Sequence, residues 1–490
     1  MLPRGNDDDI RTVPVNAMSL ESSVFPESDN APAGNGIRTR EFLTAMTDSS
    51  GSGQGTAGDV SFTGSGSLPS VFPVSDLAAA AVGAAGVAVA DLMAAAFGTR
   101  PRVAVDRRLA SLWFGFSILP IDWALPAPWD PIAGDYATAD GWIRLHTNAP
   151  HHRAAAMSVL GVAAEKQAVA AAVAHWKAEE LETAIVGNKG CAAAMRSLTE
   201  WKTHPQREAV SRERLIDARA TADSGGPLSF SMPKRPLHGI RVLDLTRVLA
   251  GPVATRFLAG LGADVLRIDP PTWDEPGVVP DVTLGKRCAR LDLRDADGRS
   301  TFLELLRRAD VLVHGYSSDA LDNLGLGAQV RREIRPGLVD VSLDAYGWTG
   351  PWRNRRGFDS LVQMTAGIAD AGMRMLGRDR PTPLPVQALD HATGYLIAAA
   401  AVRGLRERLE TGRGFEGRTS LARVAELLLS APAAAIAGNL GAANEADWSD
   451  GVEATDFGMA RRLRSPITIA DTQLQWDRPA RKLGSALPTW

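Results

Sequence analysis

Cysteine is nearly absent: 490 residues hold only Cys191 and Cys288. They stand far apart, outside metal-ligand spacing and with no secretory leader before them. A disulfide framework is therefore excluded and a reducing, cytoplasmic setting is expected. A surplus of charge is missing too. With 53 Lys and Arg against 56 Asp and Glu, the basic footprint of a nucleic-acid binder is absent and no nucleic-acid partner is expected. The opening MLPRGNDDDIRT is polar and acidic, unlike a targeting segment. The one extended apolar stretch, LAAAAVGAAGVAVADLMAAAF at 77–97, is mostly alanine and contains Asp91. It reads as a buried helix, and no membrane partner is expected. What is present is a globular composition, 45% hydrophobic and 22% charged, long enough for two or three domains.

Residues 1–66 are rich in Gly, Ser, Asp and Asn and read as a disordered leader. A helical segment over 67–118 follows. Asp140-Gly141, placed before the alternating WIRLHT, predicts a hairpin, and the charged helical periodicity after it predicts a small α/β domain and linker over 119–225. From 226 to 435 strands and helices alternate: GIRVLDLT, ADVLRID, RCARLDL, a helix at 298–308, ADVLVHGY and GLVDVSL. That alternation predicts a large Rossmann-like domain with a mainly parallel sheet. Residues 436–490 form a closing segment.

The most informative stretch is GIRVLDLTRVLAGPVATRFLAGLGADVLRID at 239–269. A dinucleotide site would use a turn here and an acid such as Asp269 for the ribose, but the required G-x-G-x-x-G is replaced by Gly251-Pro252-Val253-Ala254-Thr255-Arg256. The plain alternative is a βαβ unit with Pro252 at the first helical position.

This stretch resembles the opening of the family III CoA-transferases, a group that includes α-methylacyl-CoA racemase. Ordered matches follow: GKRCARLDLRDADG, RADVLVHGYSSDALDNLGL, GLVDVSLDAYGWTGPWRNRRGFDSLVQMTAGI, PVQALDHATGYLIAAAAVRGL and TGRGFEGRTSL. The small domain, with DGWIRLHTNAPHHRAA and RSLTEWKTHPQ, is similar to that family's second domain. The order differs, because here a helix and a small domain precede the large one. PVSDLAAAAVGAAGVAVADLM at 73–93 is similar to ALDHATGYLIAAAAVRGL, which suggests two tandem units with the front of the first lost.

The resemblance implies a CoA-transferase with no permanently bound cofactor, acting on an acyl-CoA and a carboxylic acid, as a homodimer. It implies Asp390 as nucleophile, forming an anhydride and then an aspartyl-CoA thioester. Without the resemblance, Asp390 and its first-unit counterpart Asp76 both read as helix caps. For CoA binding it implies Arg247, Val248, Leu249, Ala250, Leu291, Arg294, Tyr316, Leu324 and Arg356. Two departures bear on affinity: the family's Glu-Asn-Phe is His314-Gly315-Tyr316, and an expected Arg is Asn323. Two alternatives stay open. A racemase of the same family would carry a His where Phe358 precedes Asp359, and a degenerate subunit would bind CoA without turnover. No metal site is expected: His146, His151 and His152 lack a completing ligand, and the latter two face different sides of a helix start. Trp113, Trp123, Trp129 and Trp142 read as small-domain core or interface.

Overall fold

A seven-stranded sheet organises the large domain in the computed structural model, which describes residues 35–50, 59–226, 228–316, 319–436 and 438–490. Its order is Lys286–Arg290, Asp264–Asp269, Arg241–Leu245, Val311–His314, Val339–Asp344, Arg413–Ser420 and Asp217–Ser224. The first six run parallel and the last is antiparallel. Every strand expected between 239 and 343 is present. Both faces of these strands are apolar because both are covered: Val242, Val311, Val339 and Val341 join the core under the long helices, while Leu243, Leu266 and Leu312 meet Phe302, Leu305 and Leu306. The strand order reverses between Arg241–Leu245 and Val311–His314. The crevice beyond their carboxyl ends therefore opens at residues 246–250 and at Tyr316.

Two 24-residue helices, Val74–Phe97 and Ala388–Thr411, pack on each other. Both end on a left-handed glycine, Gly98 (φ 75°) and Gly412 (φ 73°). Each leads into a strand and then a short helix whose N-cap side chain, Asp106 or Ser420, accepts from the backbone. The first helix is long and apolar enough to cross a membrane, but 89% of its apolar window is buried inside the protein. Alanine lets such helices approach closely at little entropic cost.

The disordered leader is corrected where the structure describes it. Asn35–Ser50 is a helix and Val60–Thr63 a strand parallel to Val103–Asp106. Phe42, Leu43 and Met46 lie on one face of that helix and are buried in the core with the first long helix. A composition averaged over 66 residues hides so short an amphipathic segment. The remainder of the expected leader, 1–34 and 51–58, lies outside the described residues. The linker is corrected as well, since Asp217–Ser224 is the edge strand of the large sheet. Its charged, mostly exposed alternation suits an edge that must not pair further.

The small domain contains the expected hairpin, Gly134–Ala137 with Trp142–Leu145, and a third strand, Ala192–Ala194. It seats on the large domain where Cys191 and Ala193 meet Leu361, Met364 and Ala369. The C-terminal strands pair with the N-terminal segment, Ile467–Ile469 with Val103–Asp106 and Gly458–Leu463 with Ile118–Pro120. Trp113 and Trp123 belong to that closure rather than to the small domain: Trp113 stacks on Trp476 at 5.7 Å and Trp123 donates to the Met459 carbonyl at 2.7 Å. Buried Asp281 joins the same parts, pairing with Arg256 and Arg462 and accepting from the Ser117 N–H.

Candidate functional site

The turn after Arg241–Leu245 is held from below by charge. Asp244 pairs with Lys286 at 3.0 Å, accepts from the Thr246 N–H and takes the Thr255 hydroxyl at 2.5 Å. Lys286 also donates to the Pro252 carbonyl, so strand, turn and helix share one fully buried network. A Cβ at Gly251 would fall 2.2 Å from Thr246, so the glycine serves close packing rather than a pyrophosphate. The helix begins at Ala250, which makes Pro252 its third residue rather than its first. It still lies within the first turn, where backbone N–H groups lack helical acceptors. Val248 adopts φ 63°, a strained conformation for a β-branched residue, and its N–H donates to Glu275 Oε2 at 2.8 Å. Asp269 is fully buried against Arg267 and is not available to a ribose, which removes the dinucleotide reading.

Arg247 lies over Trp273 (4.7 Å) and Tyr316 (5.0 Å) and donates to the Tyr316 hydroxyl at 2.9 Å. Among the described residues it has no carboxylate partner. Val248, Leu249 and Ala250 continue this turn.

Across from the turn begins the helix Ala388–Thr411. Gly394 lets it come close, since a Cβ there would lie 2.5 Å from the Ala250 carbonyl. Asp390, one turn earlier, is the third residue of the helix; the cap position is Gln387, so the capping reading of Asp390 is corrected. Its N–H donates to Asp359 Oδ2 at 2.9 Å. Gln363 donates to the other Asp359 oxygen, and the Gln363 carbonyl oxygen accepts from Leu384 N–H at 2.7 Å. The carboxylate of Asp390 itself accepts no hydrogen bond among the described residues. Burial, and then the neighbouring Asp359 charge, push the Asp390 carboxyl well above its usual range. Asp359 is raised to about 6, chiefly by burial, against the hydrogen bonds it accepts.

Asp76, the third residue of the first long helix, has a different fate. Arg107 grips both its oxygens at 2.7 and 3.1 Å, and Thr39 donates to one of them. It is a buried structural ion pair, not a cap and not a free carboxylate.

The small domain supplies the remaining wall. His146 stacks on Phe358 at 3.6 Å, and His152 meets the same ring edge-on at 5.9 Å. Arg356 is exposed and unpaired among the described residues; its charge and that of Arg247 both act, after burial, to lower the His151 imidazole. Other residues of the expected set lie further along the strand ends. Leu291, Tyr316 and Leu324 are half-buried against the outer core, while Arg294 is exposed and engaged with Asp292 at 3.2 Å. Asp359, Gln363, Trp273 and Glu275 were not among the expected site residues. The pair Asp359 and Gln363, four apart on one helix, is the signal that could have marked two of them.

Residues 237–455 match the family described as CoA-transferase family III. A succinyl-CoA:glutarate CoA-transferase of Mus musculus is 34% identical over 206 residues, covering 39% of this chain and 46% of that protein. A formyl-CoA:oxalate CoA-transferase of Streptomyces avermitilis is 34% identical over 194 residues, covering 37% and 46%. An acyl-CoA transferase of Gibberella moniliformis is 27% identical over 311 residues, covering 58% and 54%. The chain thus spans about half the length of the curated relatives it matches.

Proposed function

We propose, from the match of residues 237–455 to CoA-transferase family III, that this chain is a member of that family and moves coenzyme A between an acyl-CoA and a carboxylic acid. Asp390 attacks the thioester carbonyl and expels the CoA thiolate, leaving an acyl-aspartyl anhydride. The thiolate then attacks the aspartyl carbonyl, releasing the first carboxylate and leaving an aspartyl-CoA thioester. The acceptor carboxylate repeats both steps in reverse, and Asp390 is regenerated. One observation carries the reading: Asp390 is buried and raised yet its carboxylate is unengaged, on the helix whose Gly394 abuts the Ala250 carbonyl of the turn. A subunit that had lost turnover would have no use for so costly an arrangement, and the equivalent Asp76 is tied off by Arg107.

The repeated helix-strand-helix order supports the view that the chain is two tandem units. The first keeps only the end of its large domain, followed by the small domain that seats beside Asp390. This is the permuted order relative to the family.

Incubation with an acyl-CoA and borohydride-free mass analysis is expected to find a CoA or acyl adduct on the peptide carrying Asp390. A racemase forms none, and neither does a passive CoA binder. Turnover requires an ionised Asp390. Because folding raises the Asp390 carboxyl, through burial and then the Asp359 charge, the active ionised form is lost at a pH above the ordinary carboxylate range. A pH profile of kcat/KM is expected to show its acid limb displaced upward from the ordinary aspartate value of about 4; a limb at about 4 would contradict the assignment.

A further inference from the structure

Resting on that reading, we propose that His152, from the small domain, is a binding residue for an amide of the pantetheine arm of coenzyme A. His152 is only 4% exposed, and neither ring nitrogen has a hydrogen-bond partner among the described residues. An imidazole always carries at least one N–H, so this is a buried donor and a buried acceptor left open at once. Each unsatisfied group costs about 1–3 kcal/mol, so two open nitrogens on one buried ring point to a polar partner from outside the protein.

The neighbours decide which ligand. His152 touches the Phe358 ring, and Phe358 precedes Asp359, whose carboxylate binds the Asp390 N–H. His151 lies ring to ring with it at 4.1 Å, and the charge of Arg356 also reaches it. The same wall thus holds the cations Arg247 and Arg356, whose charges reach His151, the pair His152 and Phe358, and the carboxylates Asp359 and Asp390. A CoA thioester brings complementary groups: phosphates for the cations, two amides for a neutral imidazole, and the reactive thioester for Asp390. Burial, with the charges of His151 and Arg356, lowers the His152 imidazole to about 3, so it is neutral. A neutral imidazole offers one donor and one acceptor, which matches an amide C=O and N–H and does not match a phosphate or carboxylate. His146, stacked on the Phe358 ring, is also kept neutral by burial and then by Arg144, and its Nδ1 is open as well.

The test uses the full chain and desulfo-coenzyme A, which keeps both amides but cannot react. His152→Phe retains a flat ring and loses both nitrogens; His152→Gln retains a donor and an acceptor. Calorimetry is expected to give about ten-fold weaker binding for His152→Phe and recovery to within about three-fold for His152→Gln. Thermal melts of His152→Phe should match or exceed the wild type, because an apolar ring relieves the open polar atoms. Wild-type affinity in a folded His152→Phe would overturn the inference while leaving the CoA reading standing. Equal loss in both variants with intact folding would also overturn it. A wild-type chain that binds no desulfo-coenzyme A would instead overturn the CoA reading, and this inference with it.

Discussion

Asp390→Asn is expected to lower turnover by on the order of 10³-fold or more while leaving CoA affinity within about three-fold of wild type, as no CoA contact is assigned to this carboxylate. An amide is too weak a nucleophile to open a thioester, yet it fills the same space and keeps the N–H that Asp359 accepts. The same substitution should raise stability. A carboxyl raised by folding contributes stability below its unfolded pKa and loses it as pH rises through the folded value. At pH 8 the wild-type pair is thus held at a cost that Asn removes. A rise in thermal midpoint of about 1–3 °C at pH 8, shrinking toward pH 4, is the expected signature. Asp76→Asn is the control. It strands Arg107 and should lower the melting temperature without abolishing transfer in the folded fraction. Transfer retained by Asp390→Asn, or lost in a folded Asp76→Asn, would place the chemistry elsewhere.

That contrast also marks where a sequence stops being readable. The parallel strands were legible because Val242, Val313 and Val341 alternate with Leu243, Leu312 and other residues that must also be covered. The helix carrying Asp390 and the helix carrying Asp76 were legible as relatives. What separates the two aspartates is not local: Arg107 lies 31 residues from Asp76, and Asp359 lies 31 residues from Asp390. The neutral state of His152 was invisible for the same reason, since it depends on burial between two domains. In the chain it is one of two adjacent histidines with nothing to tell them apart, and their exposure diverges only on folding. The helix Asn35–Ser50 was missed because its few core residues are diluted by a polar flank on either side.

Lys286→Met is expected to destabilise the large domain by about 3–5 kcal/mol, the cost of leaving a buried charge unpaired. Lys286 and Asp244 are both fully buried, 3.0 Å apart. Burial alone would raise Asp244; the charges of Lys286 and Arg267 outweigh it and hold the carboxyl below its usual range. Removing the ammonium takes away the largest of the opposing effects and leaves Arg267 and the two threonines against burial, so the Asp244 carboxyl rises and its ionisation favours folding less. The deficit should therefore be greatest at high pH and shrink as pH falls and Asp244 takes up a proton. Adding Asp244→Asn should recover a large part of it, because the amide oxygen still accepts from the Thr246 N–H and the amide NH2 can donate to the Thr255 hydroxyl, without a charge to solvate. The loss should reach binding as well. Lys286 holds the Pro252 carbonyl and Asp244 holds the Thr246 N–H. Without them the strained Val248 has less structure to keep it at φ 63°, so the KM for CoA should rise even at temperatures where the single variant stays folded. Urea midpoints at pH 5 and 8 for both variants measure the effect. A pH-independent deficit, or no recovery in the double variant, would show that the lysine acts through packing rather than through its charge.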